Sequence, residues 1–316
     1  MARIVSLLPS ATEIVCALGA GDDLVGRSHE CDFPPGVERL PALTRPRFFP
    51  AASSREIDRQ VRALTREARA QDALGVYAID IELLQRLRPT HIITQTQCEV
   101  CAVSLRDVES AVSQLTGLDT KLVPLEPNCL DDIWNDIRRT AQALDISERG
   151  EALVAELQKR INEVSVTEEP PRAAVIEWAD PLMTAGHWTM ELIERAGGIP
   201  LIGTPVGPSL HFTLDDLSNA DPDIIIIAPC GYDLERTRVD ADLLFESDDW
   251  KSLRAVRAGR VALIDGNQFV NRPGPRVVET LEIIAEILSD REVSFGHEGL
   301  HWQPYFAKSL STGGAR

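Results

Sequence analysis

His91-Ile92-Ile93-Thr94-Gln95-Thr96-Gln97-Cys98-Glu99-Val100-Cys101-Ala102-Val103-Ser104 is the stretch from which the fold is read. A short apolar, β-branched run, Ile92-Ile93-Thr94, passes without proline or glycine into polar residues and then a CxxC pair. That pattern predicts a buried strand delivering two thiols to its carboxyl end, followed by a helix from Ser104 to Leu115. Ligands of open α/β sheets bind outside the carboxyl ends of the strands, so the expected class is α/β and its function lies along that edge.

Upstream, Ile4–Leu8 reads as the first strand, and the apolar run closed by Gly19 reads as a helix that Ser10 or Thr12 can cap. Leu24–Arg27 is a second strand that empties into Ser28-His29-Glu30-Cys31-Asp32, five side chains able to hydrogen-bond, carry charge or bind a metal. Residues 44–54 read as a Pro- and Ser-rich loop, followed by a helix from Ser54 to about Gln71 and another from Ile81, N-capped by Asp80. Downstream, Leu122–Leu125 is a strand ending in Glu126-Pro127-Asn128-Cys129. The helical pattern from Leu130 to about Val166 has few breakers and reads as one long connecting helix, jointed near residue 146.

That helix divides the chain into an amino-terminal α/β lobe over 1–128, a connection over 129–167 and a second α/β lobe over 168–290. A tail over 291–316 is expected to be partly disordered. In the second lobe, Arg172–Ile176 ends in Glu177-Trp178, and Gly186-His187-Trp188 opens a helix. The run Ile224–Ala228 is the clearest buried strand and ends in Pro229-Cys230-Gly231-Tyr232; Val261–Ile264 is the last strand, and a helix follows over 277–288.

With 316 residues and 44% hydrophobic content the chain can bury a large core. A formal net charge of −17 argues against nucleic acid or an anionic membrane as partner. Met1-Ala2-Arg3 runs straight into the first strand, and no run approaches the roughly 18 apolar residues of a membrane span, so the expectation is a cytoplasmic protein with reduced thiols. Serine-nucleophile motifs, phosphate loops of the GxxxxGK type and HExxH do not occur, which favours a binding protein over an enzyme.

Six cysteines stand at 16, 31, 98, 101, 129 and 230, and all but Cys16 follow a predicted strand end. Soft thiolates suit zinc or an iron–sulfur cluster, and Cys31, Cys98, Cys101 and Cys230 are the candidate ligands. One CxxC supplies only half of such a set.

The opening RIVSLLPSATEIVCALGAGDDLVG and the later LLQRLRPTHIITQ resemble the class III substrate-binding proteins that serve cobalamin and iron-siderophore importers. SHECDFP, QCEVCAVS, GHWTMELIERAGG and PCGY are similar to a cysteine-containing subgroup associated with cobalamin. The resemblance covers about residues 3–288 and implies two Rossmann-like lobes joined by a long helix, holding a ligand in the cleft without chemistry. By position it implies that Ser10, His29, Glu30, Gln95, Gln97, Trp178, His187, Trp188, Tyr232 and Arg272 meet the ligand, with an ABC transporter permease as partner. Two readings stay open: a binding protein for cobalamin or a related corrinoid, and a metalloprotein whose four cysteines hold zinc or an iron–sulfur cluster.

Overall fold

Apolar runs without polar alternation need cover on both faces, which a parallel sheet flanked by helices provides. The computed structural model, which describes residues 2–71, 76–96, 108, 119–164, 169–289 and 293–306, is built in this way. It forms two compact units, one of Met1–Glu163 with Arg272–Val278 and one of Val164–Asn271 with Glu279–Arg316. No helix among the described residues is long and apolar enough to cross a membrane.

The first unit runs β1 (Ile4–Ser6), α1 (Pro9–Ala17), β2 (Leu24–Arg27), β3 (Thr44–Pro46), α2 (Ser54–Gln71), β4 (Tyr77–Ile79), α3 (Ile81–Leu87), β5 (His91–Gln95), β6 (Lys121–Leu125), α4 (Leu130–Ala143) and α5 (Ser147–Glu163). Its main sheet is parallel, in the order β2-β1-β5-β6. Ile4 stands opposite His91, and Ile92 opposite Leu122, so the apolar runs of neighbouring strands lie side by side. Asp80 caps α3 as expected, accepting from the Leu83 N–H at 2.9 Å.

Three local expectations are corrected. Ser10 and Thr12 lie inside α1 rather than capping it: Leu8 is the N-cap and Pro9 the first helical residue, where its missing N–H costs nothing. Residues 44–54 are not all loop, because β3 pairs antiparallel with β4. The helical stretch after residue 129 is two helices, α4 and α5, rather than one.

The break between α4 and α5 has a definite cause. Asp145 takes a left-handed φ of 60°, the Ile146 N–H bonds the Ala141 carbonyl, and the Asp145 N–H bonds the Gln142 carbonyl. This is a Schellman closure with aspartate in the position usually held by glycine. The chain then reverses, and α5 packs on α4 so closely that a Cβ added at Gly150 would sit 2.6 Å from the Ala141 Cβ.

The second unit runs β7 (Arg172–Ala179), β8 (Leu182–Thr184), α6 (Trp188–Arg195), β9 (Ile199–Leu201), α7 (Leu214–Ala220), β10 (Ile224–Ile227), α8 (Leu234–Leu244), α9 (Asp248–Ser252), α10 (Arg254–Arg257) and β11 (Val261–Ile264). Helix α11 (Val277–Leu288) and β12 (Trp302–Pro304) follow. The strand order is β12-β11-β10-β7-β8, with β9 also on β7; β7, β9, β10 and β11 are mutually parallel. Ile225, Ile227, Leu263 and Trp250 are fully buried in its core. Residues 293–306 are part of this unit: β12 adds antiparallel to β11, and the Glu286 carboxylate accepts from Trp302 Nε1 and the Phe295, Gly296 and His297 N–H groups.

The helical reversal makes a discriminating prediction. In a single continuous helix Gly150→Ala would stabilise by about 1 kcal/mol through helix propensity. In the observed packing the new methyl meets Ala141, so Gly150→Ala is expected to lower the thermal midpoint, and the double change Gly150→Ala with Ala141→Gly to recover most of the loss. Chemical and thermal denaturation of the three proteins measures this.

Candidate functional site

A parallel α/β sheet opens a crevice where the chain leaves one strand in opposite directions. In the first unit that switch lies between β1 and β5, since β2 flanks β1 on the other side. Ser10 follows the carboxyl end of β1 and Gln95 ends β5, so these two expected residues stand on either side of the switch. Both are buried, and among the described residues the Ser10 hydroxyl has no hydrogen-bond partner.

The turn after β2 is held by the small β3–β4 sheet. Thr44 Oγ1 on β3 lies 2.9 Å from Ser28 Oγ and 2.7 Å from His29 Nδ1, and also accepts from the His29 N–H. Tyr77 on β4 donates its hydroxyl to Glu30 Oε1 at 3.2 Å and sets its ring 5.4 Å from the His29 ring. Burial and the nearby Arg27 charge lower His29 to about 4, so its imidazole is neutral near pH 7. Burial raises Glu30 to about 7 against the pull of Tyr77 and Arg272. The turn therefore presents a neutral ring beside a carboxyl group that is only partly ionised.

Arg272 belongs to this unit rather than to the lobe where chain order places it. Its guanidinium bonds both oxygens of Asp32, at 2.6 and 3.0 Å, and Glu13 Oε1 at 3.1 Å. Arg276 bonds the same Glu13 carboxylate at 2.7 and 3.2 Å and lies 4.0 Å over the Phe33 ring. These contacts join α1, the turn after β2 and the segment 272–278.

The cysteines divide. Cys31 is buried, 3.0 Å from Thr12 Oγ1, and burial pushes its thiol up to about 11. This is the setting of a protonated core thiol. Cys129 is the N-cap residue of α4, and Cys230 follows β10 in the second unit. Cys98, Cys101 and Gln97 lie outside the described residues, as does all of the expected 104–115 helix except Val108, which is buried. Among the described residues no group of three or more His, Cys, Asp and Glu side chains is placed to hold a metal ion.

The second unit repeats the arrangement, with its switch between β7 and β10. Trp178 on β7 and Tyr232 after β10 meet there, their ring centroids 5.3 Å apart. Arg236 lies over the Tyr232 ring, 3.8 Å from its centroid, and donates to its hydroxyl, so the buried Tyr232 against the half-buried Trp178 is itself held in place. Glu177 accepts from Ser209 Oγ at 2.7 Å and from the Gly186 N–H, which fixes the turn into α6.

His187 in that turn has φ 53° and ψ −128°, backbone that a side chain rarely tolerates, held by its N–H bond to the Gly207 carbonyl at 2.7 Å. Its Nδ1 is buried, with no hydrogen-bond partner among the described residues. Trp188 is buried, with Nε1 on the Val270 carbonyl at 2.8 Å, and so anchors the turn by packing. Asn271 ties the ends of β10 and β11 by donating to the Ala228 and Gly266 carbonyls.

Sequence reading does not single out Glu13, Thr44, Tyr77, Ser209 or Arg276. None carries a local motif; Glu13 and Arg276 are 263 positions apart. Asp32 is visible in the SHECD run, but its partner is not.

A family model described as periplasmic binding protein matches residues 4–267, and the chain belongs to that family. Vitamin B12-binding protein of Vibrio cholerae serotype O1 is 23% identical over 295 residues, covering 90% of this chain and 88% of that one. Among solved structures, the apo form of periplasmic heme-binding protein RhuT from Roseiflexus sp. RS-1 superposes with a TM-score of 0.67 at 22% identity, covering 92% and 98% of the two chains. The periplasmic vitamin B12 binding protein BtuF of Vibrio cholerae gives 0.61 at 20% identity, with the same coverage. The fold is thus the two-lobed α/β fold of class III substrate-binding proteins.

Burial also pushes Glu177 up to about 7, against the hydrogen bonds from Ser209 and Gly186. Such a group holds its proton more tightly folded than unfolded, so its contribution to stability is complete below its ordinary value of 4.5 and is lost as pH rises through about 7. The thermal midpoint is expected to fall between about pH 5 and about pH 8, and Glu177→Gln to flatten that slope. An unchanged slope in the variant would remove Glu177 from the explanation.

Proposed function

We propose that the chain binds cobalamin or a closely related corrinoid and presents it to an ABC transporter permease. The observation carrying this reading is the half-buried Trp178 at the β7/β10 switch, backed by Tyr232 and Arg236. A backed indole offers a flat, apolar face of the kind a macrocycle stacks on. Each unit also carries uncharged polar groups near its own switch point, Ser10, His29 and Gln95 in the first and Ser209 and Asn271 in the second. Such groups suit a ligand rimmed by amides. The match to a vitamin B12-binding protein over most of both chains supports the same ligand.

A heme-type ligand is the second reading, favoured by the likeness to RhuT. Parallel titrations with cobalamin and with hemin, followed by tryptophan fluorescence and calorimetry, separate the two. Saturable one-to-one binding of cobalamin, weaker binding of hemin, and a roughly tenfold loss of cobalamin affinity in Trp178→Ala are expected, about 1.4 kcal/mol of ring contact. Hemin binding tighter than cobalamin would transfer the assignment to an iron tetrapyrrole.

A further inference from the structure

The carboxyl edge of the first unit's sheet carries cations, but those described at its strand ends are bonded to groups of the unit itself. Arg272 has 5% of its side chain exposed, and its fork is closed by Asp32, with Glu13 on the remaining side. Arg276 is committed to the second oxygen of Glu13 and to the Phe33 face. Arg27, at the end of β2, donates to the Ser28, His29 and Glu38 carbonyls. Carboxylates do reach the surface here: Asp32 keeps 39% of its side chain exposed, and Glu126 after β6 is exposed.

A buried guanidinium with an open fork is the natural clamp for a ligand carboxylate. In this unit the protein's own carboxylates occupy the clamp. An incoming carboxylate would have to displace Asp32 from a bidentate pair or stand beside it as a like charge, whereas an amide N–H finds acceptors at Asp32 and Glu30.

We propose that Glu13 and Asp32 are specificity-determining residues: by closing the Arg272 fork they make this edge an acceptor surface that selects macrocycles with amide arms over those with carboxylate arms. The inference rests on the proposed tetrapyrrole ligand and names which chemical class of it is taken.

One ring system in two charge states tests it without changing the macrocycle. Full-length protein is titrated with cobinamide, whose arms are amides, and with cobyrinic acid, whose arms are carboxylates, at low and high salt. The wild type is expected to prefer cobinamide at least tenfold, with the preference shrinking at about 1 M salt as the charges are screened. Asp32→Asn, which opens the fork while Glu13 still partners Arg272, is expected to cut the preference at least threefold.

Equal affinities in the wild type, or a salt-independent preference left intact in a folded Asp32→Asn protein, would overturn the proposal while leaving the corrinoid reading standing. Binding of neither ring would overturn both. The wild-type ratio and its salt dependence decide the matter even where the variant does not fold.

Discussion

Two buried guanidiniums, bonded to the buried Glu13 and the partly exposed Asp32, organise the first unit. Arg272 and Arg276 reach Glu13 on α1 and Asp32 in the turn after β2, across 240 or more positions of sequence. Removing one partner from a buried ion pair typically costs about 3–5 kcal/mol, because the other charge remains out of water. The cluster therefore holds the segment 272–278 in a unit whose other residues end at Glu163. It also decides the charge that this unit shows at its sheet edge, so one interaction bears on both architecture and recognition.

Each unit places its candidate residues by the same rule. A central strand is flanked on either side by strands that the chain reaches in opposite directions, and the crevice falls at their carboxyl ends. Ser10 and Gln95 mark it in one unit, Trp178 and Tyr232 in the other. The side chains just behind these positions are equally specific: Thr44 and Tyr77 set His29 and Glu30, and Ser209 with Gly186 sets Glu177. His187 adds a strained backbone at the start of α6, tolerated because the Gly207 carbonyl and the buried Trp188 pin both sides of it.

Much of this was legible in the sequence. Strands β1, β2, β5, β6, β7, β10 and β11 and the helices over 54–71, 81–87 and 277–288 follow from apolar runs, spacing and capping residues, all of which act within a few positions along the chain. The same local signals placed Ser10, His29, Glu30, Gln95, Trp178 and Tyr232 near strand ends. They placed a joint near residue 146 but not the reversal there, because Asp145 takes the left-handed backbone that closes α4 without the glycine that usually announces such a stop. They missed the three-residue strands β3, β4, β8, β9 and β12, which are visible only through the strands they pair with.

What the sequence by itself determined is the α/β class, the positions of the strand ends and the residue types gathered there, because hydrophobic period and capping are properties of neighbours. Only the tertiary structure decided which of those residues act together. Arg272 is closed by Asp32 and Glu13, and Cys31 is buried against Thr12, partners that stand far from them in the chain. Pairings across hundreds of residues leave no periodic trace in the chain, and burial, which sets the charge state of His29, Glu30 and Glu177, exists only once the chain has folded.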